Sequence, residues 1–192
     1  GRLPYSSFFD QCGIKWNNTT AASYAMKEFI EHYNPEELAD VKVLWYSVAT
    51  PGVIASTKPI RTVDDFKGMT IRSTSTTTET VAAMGATPVT LEWSECYEAL
   101  RNGMVDGLYT IIGACGASLI QEVAPYATHN PFYTTSYMFV MNRSVYESMP
   151  DSQRALFDEL VQEVQDEYAS HYSGLFDGDE RSMNYFKGID EL

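Results

Sequence analysis

The pattern of apolar and polar residues predicts a helix and then a buried strand in the first part of the chain. Residues 21–33 (AASYAMKEFIEHY) carry apolar side chains at helical spacing, and Pro35 ends the predicted helix. Residues 41–46 (VKVLWY) form a run of β-branched and aromatic residues. Such a run is typical of a strand that is buried on both faces, so we expect it in a parallel sheet.

Short strands and short helices alternate in the middle of the chain. The predicted strands are residues 69–72, 89–91 and 105–108. Two short helices lie between them and end at Gly85 and Gly103, and Ser94 is the predicted N-cap of the second. Thr62 is the predicted N-cap of a further short helix, which precedes residue 69 and ends at Gly68. A β-α-β-α-β order at this spacing is typical of a mainly parallel α/β sheet.

The last part of the chain predicts one more strand and a long helix. Residues 136–141 (SYMFVM) form the strand, and Pro150 opens the helix. Apolar residues recur at every fourth position of this helix, whereas acids and glutamines fill its other face. The recurring residues are Leu156, Leu160, Val164 and Tyr168. We therefore expect an amphipathic helix whose apolar stripe packs in the core.

Composition and charge limit the class of partner. The chain has 192 residues, of which 44% are hydrophobic and 20% charged, as in a soluble protein of one large domain or two small lobes. Its net charge is −13, which argues against a nucleic-acid partner and against an anionic membrane surface. An anionic solute would therefore need a specifically placed cation.

The two ends of the sequence suggest a segment of a longer protein. Residues 1–4 (GRLP) resemble a loop inside a domain, and residues 188–192 (GIDEL) stop without a closing element. The sequence shows neither a signal peptide nor an apolar run of the length that spans a membrane. We interpret both ends as cuts and expect an exposed apolar patch where further strands would pack.

Signatures of catalysis are missing from the sequence. It contains no glycine-rich phosphate loop and no Gly-x-Ser-x-Gly motif, and its three histidines lack the paired spacing of metal ligands. We predict no catalytic residue, no metal and no cofactor. Cys12, Cys96 and Cys115 leave open two arrangements, which are three separate thiols or one disulfide with a free thiol.

One cation stands where an α/β sheet binds ligands. Arg72 ends a predicted strand and is followed by Ser73, Thr74 and Ser75 at the start of a helix. Open α/β sheets bind ligands at the carboxyl ends of their strands, and arginine can donate two parallel hydrogen bonds to a carboxylate. The serine and threonine hydroxyls would add donors. The alternative is an ion pair between Arg72 and a structural acid. Trp93, at the end of another strand, fits either a hydrophobic staple or the wall of a pocket.

Six segments occur in the order found in one family of transport proteins. They are residues 58–60 (KPI), 64–72 (DDFKGMTIR), 84–89 (MGATPV), 94–100 (SECYEAL), 103–107 (GMVDG) and 121–123 (QEV). Together they resemble the motifs of TRAP-transporter periplasmic solute-binding proteins of the DctP type. Each segment alone is a weak signal, whereas the ordered set is specific.

The resemblance implies an α/β fold of two lobes that close like a clamshell, with a long helix crossing both lobes. It implies that residues 1–57 belong to an incomplete first lobe and residues 58–130 to the second lobe. Residues 131–150 would return to the first lobe. Residues 151–192 would contain the long helix and the start of a C-terminal segment.

The resemblance also implies a transport function without catalysis. The protein would be the periplasmic solute-binding subunit of a TRAP-type secondary transporter, and it would deliver a small organic acid to the small and large membrane subunits. Two alternatives use the same clamshell, namely a ligand-sensing domain and an enzyme. An enzyme would have Cys96 and Cys115 as its nucleophile candidates.

The family pattern assigns roles to individual residues. It implies that Arg72 pairs with the solute carboxylate, that Trp93 lines the pocket and that Thr110 supplies a polar contact. The sequence carries no cation at residues 50–52, where members that bind sialic acid have a second arginine. Tyr109 beside Thr110 gives the expected pocket a more apolar character. We therefore expect a monocarboxylate with an apolar or aromatic body.

Overall fold

The computed structural model of the chain describes residues 4–11, 13, 14, 16, 18–49, 52–74, 77–130, 133–176 and 186–191. The chain divides into two compact units. One comprises Thr50–Thr134 and Asp179–Leu192 and holds a six-stranded sheet, and we call it the six-strand unit. The other comprises Arg2–Ala49 and Thr135–Gly178 and holds a two-stranded sheet, and we call it the two-strand unit. This mixture of helices and sheets confirms the predicted α/β class.

The helices and strands of the described residues follow one another in chain order. The helices are α1 (Pro4–Gln11), α2 (Thr19–Tyr33), α3 (Thr78–Ala83), α4 (Cys96–Arg101), α5 (Ile112–Ala117), α6 (Arg143–Glu147) and α7 (Asp151–Phe176). The strands are β1 (Val41–Val48), β2 (Gly52–Ser56), β3 (Thr70–Ser73), β4 (Thr87–Thr90), β5 (Gly107–Ile111), β6 (Tyr126–Asn130), β7 (Ser136–Asn142) and β8 (Gly188–Glu191). Short 3-10 turns occupy Glu36–Leu38, Val63–Phe66, Trp93–Glu95 and Ile120–Glu122.

The sheet of the six-strand unit has the order β4-β3-β5-β2-β6-β8. Strand β3 pairs in parallel with both β4 and β5, as the β-α-β-α-β pattern predicts. Strand β2 pairs antiparallel with both β5 and β6, so the sheet is mixed. Strand β2 lies within residues 1–57, which the sequence analysis assigns to the first lobe, yet it belongs to the six-strand unit.

The two faces of this sheet support two separate apolar cores. The first, which we call the Leu108 face, has the core residues Val53, Ala55, Cys96, Leu100, Leu108, Ile120 and Ala127. The second, which we call the Tyr109 face, has the core residues Ile54, Ile60, Phe66, Ile71, Val81, Tyr109 and Tyr133. Neighbouring residues of a strand point to opposite faces, which explains why Leu108 and Tyr109 fall in different cores.

The parallel pairing predicted for the strand at residues 41–46 is wrong. Strand β1 covers the predicted strand 41–46, but it pairs antiparallel with β7 and not within a parallel sheet. One face packs on α2, whose buried Ala22, Met26 and Ile30 meet Tyr46 and Val48. On β1, Trp45 stacks on Phe139 with ring centroids 4.2 Å apart. The apolar run of β1 therefore reflects contacts on both faces and not parallel pairing.

The prediction that the apolar stripe of helix α7 packs in the core is wrong for its residues Leu156, Leu160 and Val164. Leu156, Leu160 and Val164 are exposed, whereas Gln165 is buried with 3% of its surface exposed. The Gln165 amide accepts a hydrogen bond from the Tyr46 N–H at 2.9 Å and donates one to the Tyr46 carbonyl at 3.0 Å. A glutamine is buried here because its amide satisfies both backbone groups of a strand edge.

Two predicted N-caps have different outcomes. Thr62 precedes the 3-10 turn Val63–Phe66, and its N–H donates to the Asp65 carboxylate at 2.8 Å, which confirms the predicted cap. Ser94 is not a cap, because the turn before α4 starts one residue earlier, at Trp93. The N-cap is Glu92, whose N–H donates to the Glu95 carboxylate at 3.1 Å.

Candidate functional site

Strand pairing places Arg72 at the carboxyl-end edge of the parallel strands. Arg72 lies opposite Val89 of β4 and Leu108 of β5, so its side chain is on the Leu108 face. Thr110 lies two residues beyond Leu108 on the same strand and therefore on the same face. The structure thus brings Arg72 and Thr110 to one face of the sheet, toward the edge where open α/β sheets bind ligands.

The Asp106-Gly107 pair fixes β3 beside β5 and thereby places Arg72. The Asp106 carboxylate accepts a hydrogen bond from the Thr70 N–H at 2.8 Å, and the Asp106 N–H donates to the Thr70 carbonyl at 2.7 Å. The Asp106 carbonyl also accepts from the Thr57 N–H at 2.9 Å. These contacts assign a structural role to the aspartate of the 103–107 segment.

The Arg72 side chain is buried and partly restrained. Its exposed fraction is 9%, and its Nε donates to the Leu91 carbonyl at 3.1 Å. The guanidinium carbon lies 5.6 Å from the centroid of the Trp93 ring, which is within the range of a cation–π contact. Within the described ranges, no carboxylate oxygen lies within 4.0 Å of an Arg72 nitrogen. The expected alternative, an ion pair with a structural acid, is therefore not formed among these residues.

Trp93 packs on the Leu108 face and is held there by a hydrogen bond. It is partly buried against that core, and its indole N–H donates to the Ser118 hydroxyl at 2.9 Å. It is the first residue of the turn Trp93–Glu95 and not the residue before an N-cap, so the arrangement of a hydrophobic staple is not the one observed. Trp93 instead lies against the guanidinium of Arg72, on the same face of the sheet.

Tyr109 and Thr110 are neighbours in sequence but lie on opposite faces. Thr110 is buried opposite Val53 on the Leu108 face. Tyr109 belongs to the Tyr109 face, where its ring centroid is 4.9 Å from that of Tyr133. The apolar pocket expected from Trp93 and Tyr109 together is therefore not supported, because the sheet separates the two side chains.

The hydroxyl groups that follow Arg72 are used within their own turn. The Ser73 hydroxyl is buried and lies 3.3 Å from that of Thr78, and the Thr74 N–H donates to the Thr77 hydroxyl at 3.1 Å. Ser75, the third predicted donor, lies outside the described residues. These contacts organise the start of α3 beside the Arg72 strand.

The two described cysteines are unsuited to nucleophilic chemistry. Cys96 and Cys115 are free thiols buried in the core of the Leu108 face, and Cys12 lies outside the described residues. Burial raises the pKa of Cys115 to about 12. Burial also raises the pKa of Cys96, although the nearby Arg72 charge acts in the opposite direction. Thiols with raised pKa values are largely protonated at neutral pH and hence weak nucleophiles.

The described part of the chain contains neither a cluster of metal ligands nor a membrane-spanning helix. Its histidine, cysteine, aspartate and glutamate residues form no group of three or more that is suited to hold a metal ion. None of its helices combines the length and the apolar character needed to cross a membrane.

Comparison with known proteins supports the sequence resemblance. Residues 15–184 match the model of the family described as bacterial extracellular solute-binding protein, family 7 (DctP). The ectoine-binding periplasmic protein TeaA of Halomonas elongata is 30% identical over 127 residues, which are 64% of this chain and 37% of that protein.

Two solved structures share the fold of the chain. A TRAP periplasmic solute-binding protein from Desulfovibrio salexigens has a TM-score of 0.79 and 27% identity, with 99% of this chain and 60% of that chain covered. A marine metagenome TRAP solute-binding protein specific for aromatic acid ligands, solved with 3-hydroxybenzoate, has a TM-score of 0.84 and 25% identity, with 100% and 62% covered. The chain therefore spans less than two thirds of the length of these relatives.

The Ser118 contact was not found by sequence reasoning. Ser118 lies 25 residues beyond Trp93, and no motif of the sequence analysis includes it. The Leu91 carbonyl was missed for a related reason, because a backbone oxygen carries no signal in residue identity. Only the fold brings these groups to the Arg72 side chain.

Proposed function

The chain belongs to the bacterial extracellular solute-binding protein family 7, and from that membership we propose that it is the solute-binding part of a TRAP-type transporter. In this proposal it captures a small organic carboxylate in the periplasm and passes it to the small and large membrane subunits. It performs no chemistry on the solute. The relatives described above are solute-binding proteins, which supports the first part of the proposal.

The observation that carries the carboxylate assignment is the environment of Arg72. Its guanidinium is buried, and the described residues provide no carboxylate within 4.0 Å. A buried charge without a counter-charge is unfavourable, so an anionic solute is the natural partner. The Arg72 Nε already donates to the Leu91 carbonyl, so the two terminal nitrogens of Arg72 remain to donate to a carboxylate.

The wall beside Arg72 favours a solute with a flat apolar body. Trp93 presents its ring next to the guanidinium, and its indole N–H is already donated to Ser118. Trp93 therefore offers an apolar surface and no free donor. Thr110, on the same face, would add one polar contact. An aromatic monocarboxylate combines these properties, and one structural relative is specific for aromatic acid ligands.

The proposal is tested with pairs of solutes that differ only in charge. The protein at its natural length is titrated with benzoate, 3-hydroxybenzoate and succinate, and with the neutral amides of the same acids. A solute that binds only the folded state raises the melting temperature, and saturation at 100 times Kd stabilises by about 2.7 kcal/mol. We expect at least one acid to raise the melting temperature while its amide does not. Equal shifts with acid and amide, or no shift with any acid, would contradict the proposal.

The burial of the two described thiols supports a binding protein over an enzyme. An enzyme on this fold would need a nucleophile near the solute, and the raised pKa values of Cys96 and Cys115 disfavour that role. Incubation of the protein with the bound acid, followed by mass spectrometry of the solute, should recover the acid unchanged.

A further inference from the structure

We propose that Ser118 is a positioning residue of the carboxylate site. By holding the Trp93 indole, it keeps the Arg72 guanidinium in the orientation that receives the solute. This inference rests on the proposed function, because it concerns the same site. It adds a residue that would act through Trp93 and that lies outside every segment of the family resemblance.

A single hydrogen bond joins Ser118 to Trp93. An indole has a single polar hydrogen, and here it is donated to the Ser118 hydroxyl at 2.9 Å. A ring that packs on an apolar core can still rotate, but one directed hydrogen bond selects a single orientation. The Ser118 hydroxyl therefore determines which surface of Trp93 is presented to its neighbours.

The Arg72 side chain makes two contacts with the short segment that carries Trp93. The Arg72 Nε donates to the carbonyl of Leu91, and the guanidinium carbon lies 5.6 Å from the Trp93 ring centroid. Leu91 and Trp93 are only two residues apart. Both restraints on the guanidinium thus come from one short segment, and the Ser118 bond holds the ring of that segment against which the guanidinium lies.

Backbone hydrogen bonds hold Ser118 at the end of α5. Its N–H closes α5 by donating to the carbonyls of Ala114 at 3.2 Å and Cys115 at 3.3 Å. The next residue, Leu119, has a φ of 55°, which is a strained backbone conformation for a leucine. Its side chain is 52% exposed, so burial does not offset the strain. A left-handed residue at this position is a common way to end a helix, and the two N–H contacts fix the Ser118 backbone from which its hydroxyl reaches the Trp93 indole.

A second hydrogen bond, between residues that closely follow Trp93 and Ser118 in sequence, supplies a matched control. The Tyr97 hydroxyl donates to the Glu122 carboxylate at 3.0 Å, and this pair also spans 25 residues. It joins α4 to the turn Ile120–Glu122, whereas the described contacts of the Arg72 side chain are with Leu91 and Trp93. If Ser118 only tethered the two segments, loss of either bond would have a similar effect. If Ser118 positions Trp93, only the Ser118 bond matters for the solute.

The test compares Ser118→Ala, Ser118→Thr and Tyr97→Phe in the protein at its natural length. The probe is whichever of benzoate, 3-hydroxybenzoate and succinate binds the wild type most tightly in isothermal titration. The second readout is the indole N–H signal of Trp93 in a nitrogen–proton correlation spectrum, assigned by its loss in Trp93→Phe. Trp16, Trp45 and Trp93 each contribute one such signal, so the Trp93→Phe spectrum is needed to identify the one that belongs to Trp93.

We expect Ser118→Ala to weaken binding about fivefold to tenfold, the size of one hydrogen bond, and to move the Trp93 signal. Ser118→Thr keeps the hydroxyl and should restore both readouts, with affinity within about twofold of wild type. Tyr97→Phe should leave both unchanged. An unmoved Trp93 signal in Ser118→Ala, or unchanged affinity with a moved signal, would overturn the inference. If the wild type binds no acid, the proposed function and this inference both fail. If the wild type binds an acid and Ser118→Ala binds it equally well, only this inference fails and the proposed function stands.

Discussion

Replacement of Gly107 by alanine tests how closely β5 packs against β2 and against β3, the strand that carries Arg72. A Cβ at this position would lie 2.7 Å from the Ala55 carbonyl oxygen and 3.0 Å from the Ile71 Cδ1. Ordinary contacts begin at 3.4 Å, so the Ala55 oxygen would have to move by about 0.7 Å, the difference between 3.4 and 2.7. That oxygen belongs to β2, which is hydrogen-bonded to β5 on one side and to β6 on the other, so it cannot move alone.

We expect Gly107→Ala to lower the free energy of unfolding by about 2–3 kcal/mol, at the upper end of typical overpacking costs. The control is Gly68→Ala, where the added Cβ meets nothing within 4 Å but φ is +80°. That control should cost only about 1 kcal/mol, from backbone strain. Urea unfolding of the wild type and of both variants is followed by far-ultraviolet circular dichroism. A Gly107→Ala cost no larger than that of Gly68→Ala would refute the packing argument.

Two further predictions concern the two-strand unit. Burial raises the pKa of the Asp10 carboxyl from 3.8 to about 6. Between these two values the folded state holds a proton that the unfolded state has released, so the free energy of unfolding falls as pH rises from about 4 to 6. Asp10→Asn should remove this pH dependence and stabilise the protein at pH 8 by roughly 1–3 kcal/mol, and urea unfolding curves with the wild-type pH profile would contradict this. Gln165→Leu should cost about 2–4 kcal/mol, because it leaves the N–H and carbonyl of Tyr46 unpaired, whereas the exposed Gln162→Leu should change the free energy of unfolding by less than about 0.5 kcal/mol. Equal unfolding midpoints in urea for the two glutamine variants would show that the buried amide is not needed.

The elements that the sequence predicted well are those with a strong local signal. Helix α2 and strands β3, β4 and β7 lie close to their predicted ranges, because periodicity and glycine or proline stops act within a few residues. Strand β5 starts at Gly107, two residues after the predicted start. Its apolar pattern begins earlier because Val105 is buried before the strand pairing starts.

The errors came from contacts between residues distant in sequence. An apolar run such as β1 can face a helix on one side and an aromatic ring on the other, so its composition does not reveal whether its partner is antiparallel. The face of α7 that packs was misassigned because burial of Gln165 depends on the backbone groups of Tyr46, 119 residues away. Helical spacing alone cannot reveal such a partner.

The candidate site was predictable in part. Arg72 stood out because a strand end followed by hydroxyl residues is a local pattern, and the structure places it on the same face as Trp93 and Thr110. Tyr109 was included because its ring, together with Trp93, suggested a more apolar pocket, but strand alternation places it on the opposite face. Ser118 carries no local signal, since a serine at a helix end has many ordinary roles.

The measurement that tests the central claim most directly is isothermal titration of wild type, Arg72→Lys and Arg72→Ala with the best-binding acid. Loss of one partner of a buried charge pair typically costs about 3–5 kcal/mol, which is more than a hundredfold in affinity. Arg72→Ala should therefore bind more than a hundredfold more weakly than wild type. Arg72→Lys keeps the charge but loses the planar pair of donors, so it should also bind substantially more weakly. Binding of Arg72→Ala within about threefold of wild type would contradict the account, because Arg72 would then not be the group that receives the carboxylate.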